Sequence, residues 1–134
     1  VQGLSARYHP MKMLRPGISR DGVLRTSEVM SLFCNTRVRT AGYVVCRQAP
    51  ATAKGHVFLT LEDEEGLVNV VLKPQVYRKY RYVAKTDPLI LVEGLLQKKD
   101  GIVNIVAERL VPLREERERQ QTLYPLAPKA RNFA

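Results

Sequence analysis

Apolar and polar positions follow two different periods along this chain. Over Thr26-Ser-Glu-Val-Met-Ser-Leu-Phe33, Val29, Met30, Leu32 and Phe33 form an apolar side. That spacing predicts a short helix, capped by Thr26 or Ser27. From Arg37 the period is two. Val38, Thr40, Gly42, Val44 and Cys46 share one face, and Arg37, Arg39, Tyr43, Val45 and Arg47 share the other. This predicts a long strand over Arg37–Gln48 with a bulge or sharp bend at Gly42. After the loop Ala49–Gly55, Val57, Leu59 and Leu61 alternate with His56, Phe58, Thr60 and Glu62 as a second strand. Asp63-Glu-Glu-Gly66 is expected to turn the chain, with Gly66 supplying a positive φ. Val68–Leu72 is the third strand. Pro74–Val83 reads as a helix with proline in its first turn and Val76, Tyr80 and Val83 on one side. Leu89–Gln97 and Ile102–Leu113 are the fourth and fifth strands. Lys98-Lys-Asp-Gly101 joins them as a hairpin turn with positive φ.

Five strands with a helix between the third and fourth predict an all-β fold, a five-stranded OB-fold Greek-key barrel. A long first strand bent at a glycine suits it, because that strand serves both sides of the barrel. An SH3-like barrel is the rival, and the helix position favours OB. The expected domains are an irregular lead-in with a short helix over 1–34, the barrel over 35–113, and a charged extension with a flexible tail over 114–134. Pro10, Pro16, Gly17 and Gly22 mark the lead-in as irregular.

Charge adds a direction to this picture. The 134 residues carry 22 Lys and Arg against 13 Asp and Glu, a formal net charge of +9. Residues 1–56 hold nine of the basic side chains and two of the acidic ones. The excess favours anionic partners, nucleic acid above all. Cys34 and Cys46 form neither a disulfide framework nor a zinc motif, and a reducing cytoplasm is the expected compartment. No apolar run nears the roughly 20 residues that span a bilayer, and Val1-Gln-Gly-Leu4 is no signal-peptide start.

Catalysis has little support in these residues. His9 and His56 lack metal-ligand partners at helical spacing. Glu62-Asp-Glu-Glu65 is read as a solvated hairpin turn, not a divalent-ion site, and Lys54-Gly55 falls far short of a phosphate loop. No catalytic residue, metal or cofactor is expected in this chain. Binding is better supported. OB-folds hold oligonucleotides across strands two and three, between the 1–2 and 4–5 loops. Those loops offer Arg47 and Lys54 on one side and Lys98 and Lys99 on the other, with Arg39 on the first strand. Tyr43, His56 and Phe58 are expected on outward faces. Cations for phosphates and flat rings for bases are what a single strand needs. The rival for Tyr43 and Phe58 is packing beneath the lead-in. In the basic helix, Tyr80 is expected to pack while Arg78, Lys79 and Arg81 are solvated.

Certain motifs go further. Gly3-Leu-Ser, His9-Pro10, Thr52-Ala-Lys-Gly55, Phe58-Leu-Thr-Leu-Glu-Asp-Glu-Glu-Gly-Leu-Val-Asn-Val-Val71, Val106-Ala-Glu-Arg-Leu110 and the closing Arg131-Asn-Phe-Ala134 resemble the C-terminal part of the bacterial error-prone DNA polymerases. These are damage-inducible homologues of the polymerase III alpha subunit, in the C family. The resemblance implies a nucleotidyltransferase parent that works in DNA repair and copies lesions. Its magnesium-binding aspartates would lie in a palm upstream of Val1. It implies single-stranded template DNA as ligand, on Arg47, Lys54, His56 and Phe58. It also implies accessory mutagenesis proteins and the sliding clamp as partners of an otherwise monomeric domain. Val29-Met-Ser-Leu-Phe33 is similar to a clamp-binding peptide but lacks its glutamine. A protein-docking module is the alternative function, and the anticodon-binding domain of a class II synthetase is a third.

Overall fold

The computed structural model describes residues 9–19 and 22–114. The barrel is built from β1 (Arg37–Gln48), β2 (Val57–Glu62), β3 (Leu67–Leu72), β4 (Leu89–Lys99) and β5 (Ile102–Pro112). It closes in the order β1-β2-β3-β5-β4. Neighbours are antiparallel except β3 and β5, which run parallel. This is the predicted OB-fold. The expected tail lies, beyond Arg114, outside the described residues.

β1 belongs to both halves of the barrel. Arg37 to Tyr43 pair with β4, and Tyr43 to Gln48 pair with β2, so Tyr43 stands opposite both Leu89 and Glu62. At Gly42 an added Cβ would lie 2.7 Å from the Glu62 carbonyl oxygen. Glycine there lets β1 come close to β2 as it changes partner. The bulge itself falls later, where the register shifts between Val44 and Cys46. Gly94 is more constrained, since a Cβ would sit 2.2 Å from the Val106 carbonyl oxygen, beside a register shift in the β4–β5 pair. Asp100 and Gly101 take the positive φ expected of the β4–β5 turn.

Val57, Leu59 and Leu61 alternate inward as predicted and meet Val68, Val70, Leu72, Ile90, Val92, Leu96 and Ile105 in the barrel core. The helical segment plugging it breaks at Tyr80, giving α3 (Pro74–Lys79) and α4 (Arg81–Thr86). Val76, Tyr80 and Val83 pack on the core as expected. The helix predicted over 26–33 is shorter, Thr26–Met30. Only Val29 of its apolar side is buried in the core, and Phe33 is 86% exposed.

Among the described residues, the lead-in is in large part helical rather than irregular. Residues Pro10–Ser19 form a helix that contains Pro16. In chain order it is α1, and Thr26–Met30 is α2. Met11, Leu14, Arg15 and Ile18 recur at helical spacing, and Met11 and Ile18 are buried with Ala41, Leu91 and Leu113 on the outer face of β1, β4 and β5. An interior proline costs about 3 kcal/mol. Burying Met11 and Ile18 contributes about 1.5–3 kcal/mol each, so tertiary packing overrides the local breaker.

The acidic turn also departs from expectation. Asp63 is 3% and Glu64 8% exposed. The Arg15 guanidinium, 3% exposed, donates from Nε to Glu64 Oε2 at 2.8 Å and from Nη2 to Glu64 Oε1 at 2.8 Å. Its Nη2 also lies 3.4 Å from Asp63 Oδ2. Asp63 Oδ2 accepts the Thr26 N–H at 2.8 Å, so the hairpin caps α2 from a distance. Arg25, not Thr26 or Ser27, occupies the N-cap. Asp63 Oδ1 accepts the Glu65 and Gly66 N–H groups, and Gly66 has no positive φ. A side-chain turn has replaced the expected glycine turn. His9 Nε2 stands 3.6 Å from Glu62 Oε1 at the edge of this cluster.

Replacing Arg15 with Met strands two buried carboxylates. Loss of one partner of such a pair costs about 3–5 kcal/mol, and the thermal midpoint is expected to fall by roughly 10–20 °C. R15M/E64M is expected to recover much of that loss. Burial alone would raise the Glu64 carboxyl. Hydrogen bonds from Arg15 and the backbone, and the charges of Arg15 and Arg25, outweigh burial and hold it below its ordinary 4.5. The folded carboxyl therefore gives up its proton more readily than the unfolded one. Its contribution is full above pH 4.5 and lost as pH falls through the lower folded value. Urea midpoints across that range are expected to fall, and to fall less in Glu64→Gln. Gly94→Ala is expected to cost several kcal/mol in the same assay, since backbone must move to admit the methyl (on the order of 3 kcal/mol).

Candidate nucleic-acid interface

Strand register sets out one continuous outer strip. Gln48 lies opposite Phe58 and Phe58 opposite Val71. One row along, Cys46 lies opposite Thr60 and Thr60 opposite Asn69. Thr60 Oγ1 contacts Asn69 Oδ1 at 3.4 Å. The strip thus carries one half-buried ring and a row of neutral polar groups, none of them charged. Its far end meets the Glu62–Glu65 turn, where Arg15 pairs with Asp63 and Glu64, and Arg25 with Glu64 and Glu65.

At the near end, Lys54 and Gly55 both adopt positive φ, 55° and 89°, and turn the loop sharply after the 3-10 turn Ala51–Ala53. Lys54 is exposed there. Val57 faces Leu72, which brings the exposed Lys73 beside the same loop. His56 is turned off the strip. Its Nδ1 is 2.8 Å from the Ala53 carbonyl, and its ring lines an open cleft with Tyr77 and Arg78.

The other expected residues are dispersed. Arg47 Nε and Nη2 donate to the carbonyls of Ala84 and Asp87, each at 2.7 Å, at the C-terminal end of α4. A cation there satisfies orphan carbonyls and the helix dipole. Tyr43 packs against the α1 cluster and meets His9 edge-to-face at 5.6 Å between ring centroids. Arg39 pairs with Glu93 at 3.0 Å, and Arg109 pairs with the same oxygen at 2.8 Å. That triad crosses β1, β4 and β5, away from the strip. Lys98 and Lys99 lie at the opposite end of β1 from the 1–2 loop, and Lys98 Nζ donates to the Met30 carbonyl at 2.8 Å. The two basic loops therefore bracket the strip and do not converge. Gln48, Thr60, Asn69 and Lys73 went unnoticed in the sequence. Alternation running on from Phe58 points to Thr60, but the cross-strand register that places Asn69 is not visible in one dimension.

Among the described residues no group of three His, Cys, Asp or Glu could hold a metal, and the oxygens of Asp63 and Glu64 are occupied by Arg15 and backbone N–H groups. The clamp-like segment is not extended, because Val29 is buried in helix α2. No helix among the described residues is long and apolar enough to cross a membrane.

A closed five-stranded barrel with a polar, ring-bearing outer strip defines an oligonucleotide-binding class of domain. Residues 38–113 match the family model for tRNA anti-codon domains, described as an OB-fold nucleic acid binding domain, and the chain belongs to this family. It is 40% identical over 111 residues to a protein named error-prone DNA polymerase from Anaeromyxobacter dehalogenans strain 2CP-C, covering 83% of this chain and 10% of that one. It is 44% identical over 109 residues to another of that name from Bradyrhizobium sp. strain ORS 278, covering 81% and 9%. The resemblance read from the motifs holds over that stretch, and the chain spans about a tenth of the length of these relatives. Among solved structures, asparaginyl-tRNA synthetase from Pyrococcus horikoshii with asparaginyl-adenylate has a TM-score of 0.58 at 22% identity, over 67% of this chain and 22% of that one. That is a likeness of fold.

Arg47→Ala is expected to destabilise the domain by roughly 1.5–3 kcal/mol in chemical denaturation, the worth of a charge-assisted bond to the part-buried Ala84 carbonyl. Unchanged stability would leave the guanidinium free for a ligand.

Proposed function

We propose that this domain binds single-stranded DNA, as the template-handling OB module of an error-prone DNA polymerase that copies lesions in damaged DNA. The observation that supports this reading most is the pairing within the acidic turn, where Asp63 and Glu64 are buried against Arg15. With these two carboxylates buried, the strip from Phe58 to Asn69 faces solvent with no carboxylate of its own, and the exposed carboxylate at its far end is Glu65. A single strand would lay bases over Phe58, offer edges to Gln48, Thr60 and Asn69, and carry its phosphates past Lys54 and Lys73. Backbone-led binding of this kind is salt-dependent and weakly selective for sequence. The relatives' name is consistent with it, as is a cytoplasmic parent whose magnesium chemistry takes place in residues outside this chain.

A second reading, docking of accessory proteins or the sliding clamp, is favoured by Phe33 and Met13, both 86% exposed. The two are separated by fluorescence anisotropy of a labelled single strand at several salt concentrations. Lys54→Glu with Lys73→Glu leaves the helix-capping Arg47 in place. The double variant is expected to bind at least about tenfold more weakly, with a salt slope shallower by about 0.7 for each phosphate no longer neutralised. Equal affinity in wild type and variant, or none in wild type, would favour docking.

A further inference from the structure

We propose that the cleft between the β1–β2 loop and α3 is a pocket for a single nucleobase, held beyond the end of the strand face. The cleft is open, with a volume of about 400 Å³. That lies at the small end of ligand pockets, which run from about 300 to 1,000 Å³. Pro50, Pro74 and Tyr77 give it flat apolar walls, and His56 and Arg78 give it polar groups. Flat apolar walls suit a π-face.

The polar pair is specific about what it accepts. His56 Nδ1 lies 2.8 Å from the Ala53 carbonyl. A carbonyl only accepts, so Nδ1 carries the proton, and of the two uncharged tautomers this contact selects the one that leaves Nε2 as an acceptor. The Arg78 guanidinium only donates. An acceptor and a donor on one cleft match a base edge, which presents both, better than a phosphate, which only accepts. The shape is also fixed in advance. Gly55, at φ 89°, brings the loop against the first turn of α3, where a Cβ would lie 3.2 Å from Pro74 Cγ. Phe58 begins the strip two residues after His56, and Lys54 stands exposed between the loop and solvent. A strand crossing Phe58 thus has a cation on its path into the cleft. Arg78, which the sequence alone assigns to a solvated helix face, gains a ligand role here.

This pocket rests on the single-strand reading for its biological ligand, and the test separates the two. Ala51 is exposed on the rim. Ala51→Trp fills the cleft without removing a charge or a core side chain. Oligothymidylates carrying one 2-aminopurine at successive positions are titrated with the chain, reading probe fluorescence and anisotropy together. In wild type the probe is expected to respond at one position in the strand. In Ala51→Trp that response is lost and affinity falls about tenfold, the scale of one stacked base. In a second arm, deoxyadenosine monophosphate is titrated against the isotope-labelled chain. The amide signals of Gly55, His56 and Tyr77 are expected to shift in wild type and to stay still in Ala51→Trp. Arg78→Ala, at an exposed position, is expected to weaken the monophosphate several-fold. Equal probe responses and equal monophosphate shifts in wild type and Ala51→Trp overturn the pocket, while retained oligonucleotide binding leaves the single-strand reading standing. Monophosphate shifts without oligonucleotide binding uphold the pocket and overturn that reading.

Discussion

The Arg15 guanidinium lies between α1 and the β2–β3 turn with almost no access to solvent, and its fork is matched to the two oxygens of Glu64. Burying a guanidinium and two carboxylates is costly, and only close geometry with every lone pair engaged offsets it. Here the geometry comes from several segments at once. Nη1 reaches the Val23 carbonyl at 3.3 Å, Asp63 caps α2, Glu28 accepts the Arg25 N–H at 2.7 Å, and Ser27 donates to Glu65. α1, the 22–25 segment, α2 and the turn are therefore fixed together. The same ion cluster offsets part of the acidic patch that a polyanion would otherwise meet. A feature that looks hostile to DNA in the sequence is spent on holding the helices to the barrel.

β1 carries a second constraint. A strand that pairs with β4 through its first half and β2 through its second must bend where it changes partner, and Gly42 supplies the close approach. Upstream of that point its free edge is covered by Leu24, whose N–H donates to the Arg39 carbonyl at 2.8 Å. The strands were legible because inward and outward residues alternate so regularly that boundaries fall within a residue or two, as at Leu67 and Lys99. α1 was illegible because Pro16-Gly17 signals a break locally, while the burial that overrules it comes from Leu91 and Leu113, far along the chain. Nor could sequence pattern reveal that Arg15 reaches Glu64, 49 positions away.

The candidate site was legible in part as a place in the fold. Charge and strand order picked out the loop with Lys54 and the ring of Phe58. They did not show where long side chains go once the chain is folded. Arg47 turns to helix carbonyls, Arg39 to Glu93, Lys98 to Met30 and Tyr43 to α1. A basic residue near a binding loop is as readily consumed by an unsatisfied carbonyl as by a phosphate. What remains is narrower than the composition implied: a neutral strip on β1, β2 and β3, a cationic rim at Lys54 and Lys73, and a cleft beyond it.

The placement of that strip is tested most directly by amide shifts of the labelled chain on adding a short oligothymidylate at low salt. The largest changes are expected at Gln48, Lys54, Phe58, Thr60 and Asn69, with Arg39, Glu93 and Arg109 unmoved. Changes centred on the Arg39–Glu93–Arg109 triad or on Phe33, with the strip unaffected, would contradict it.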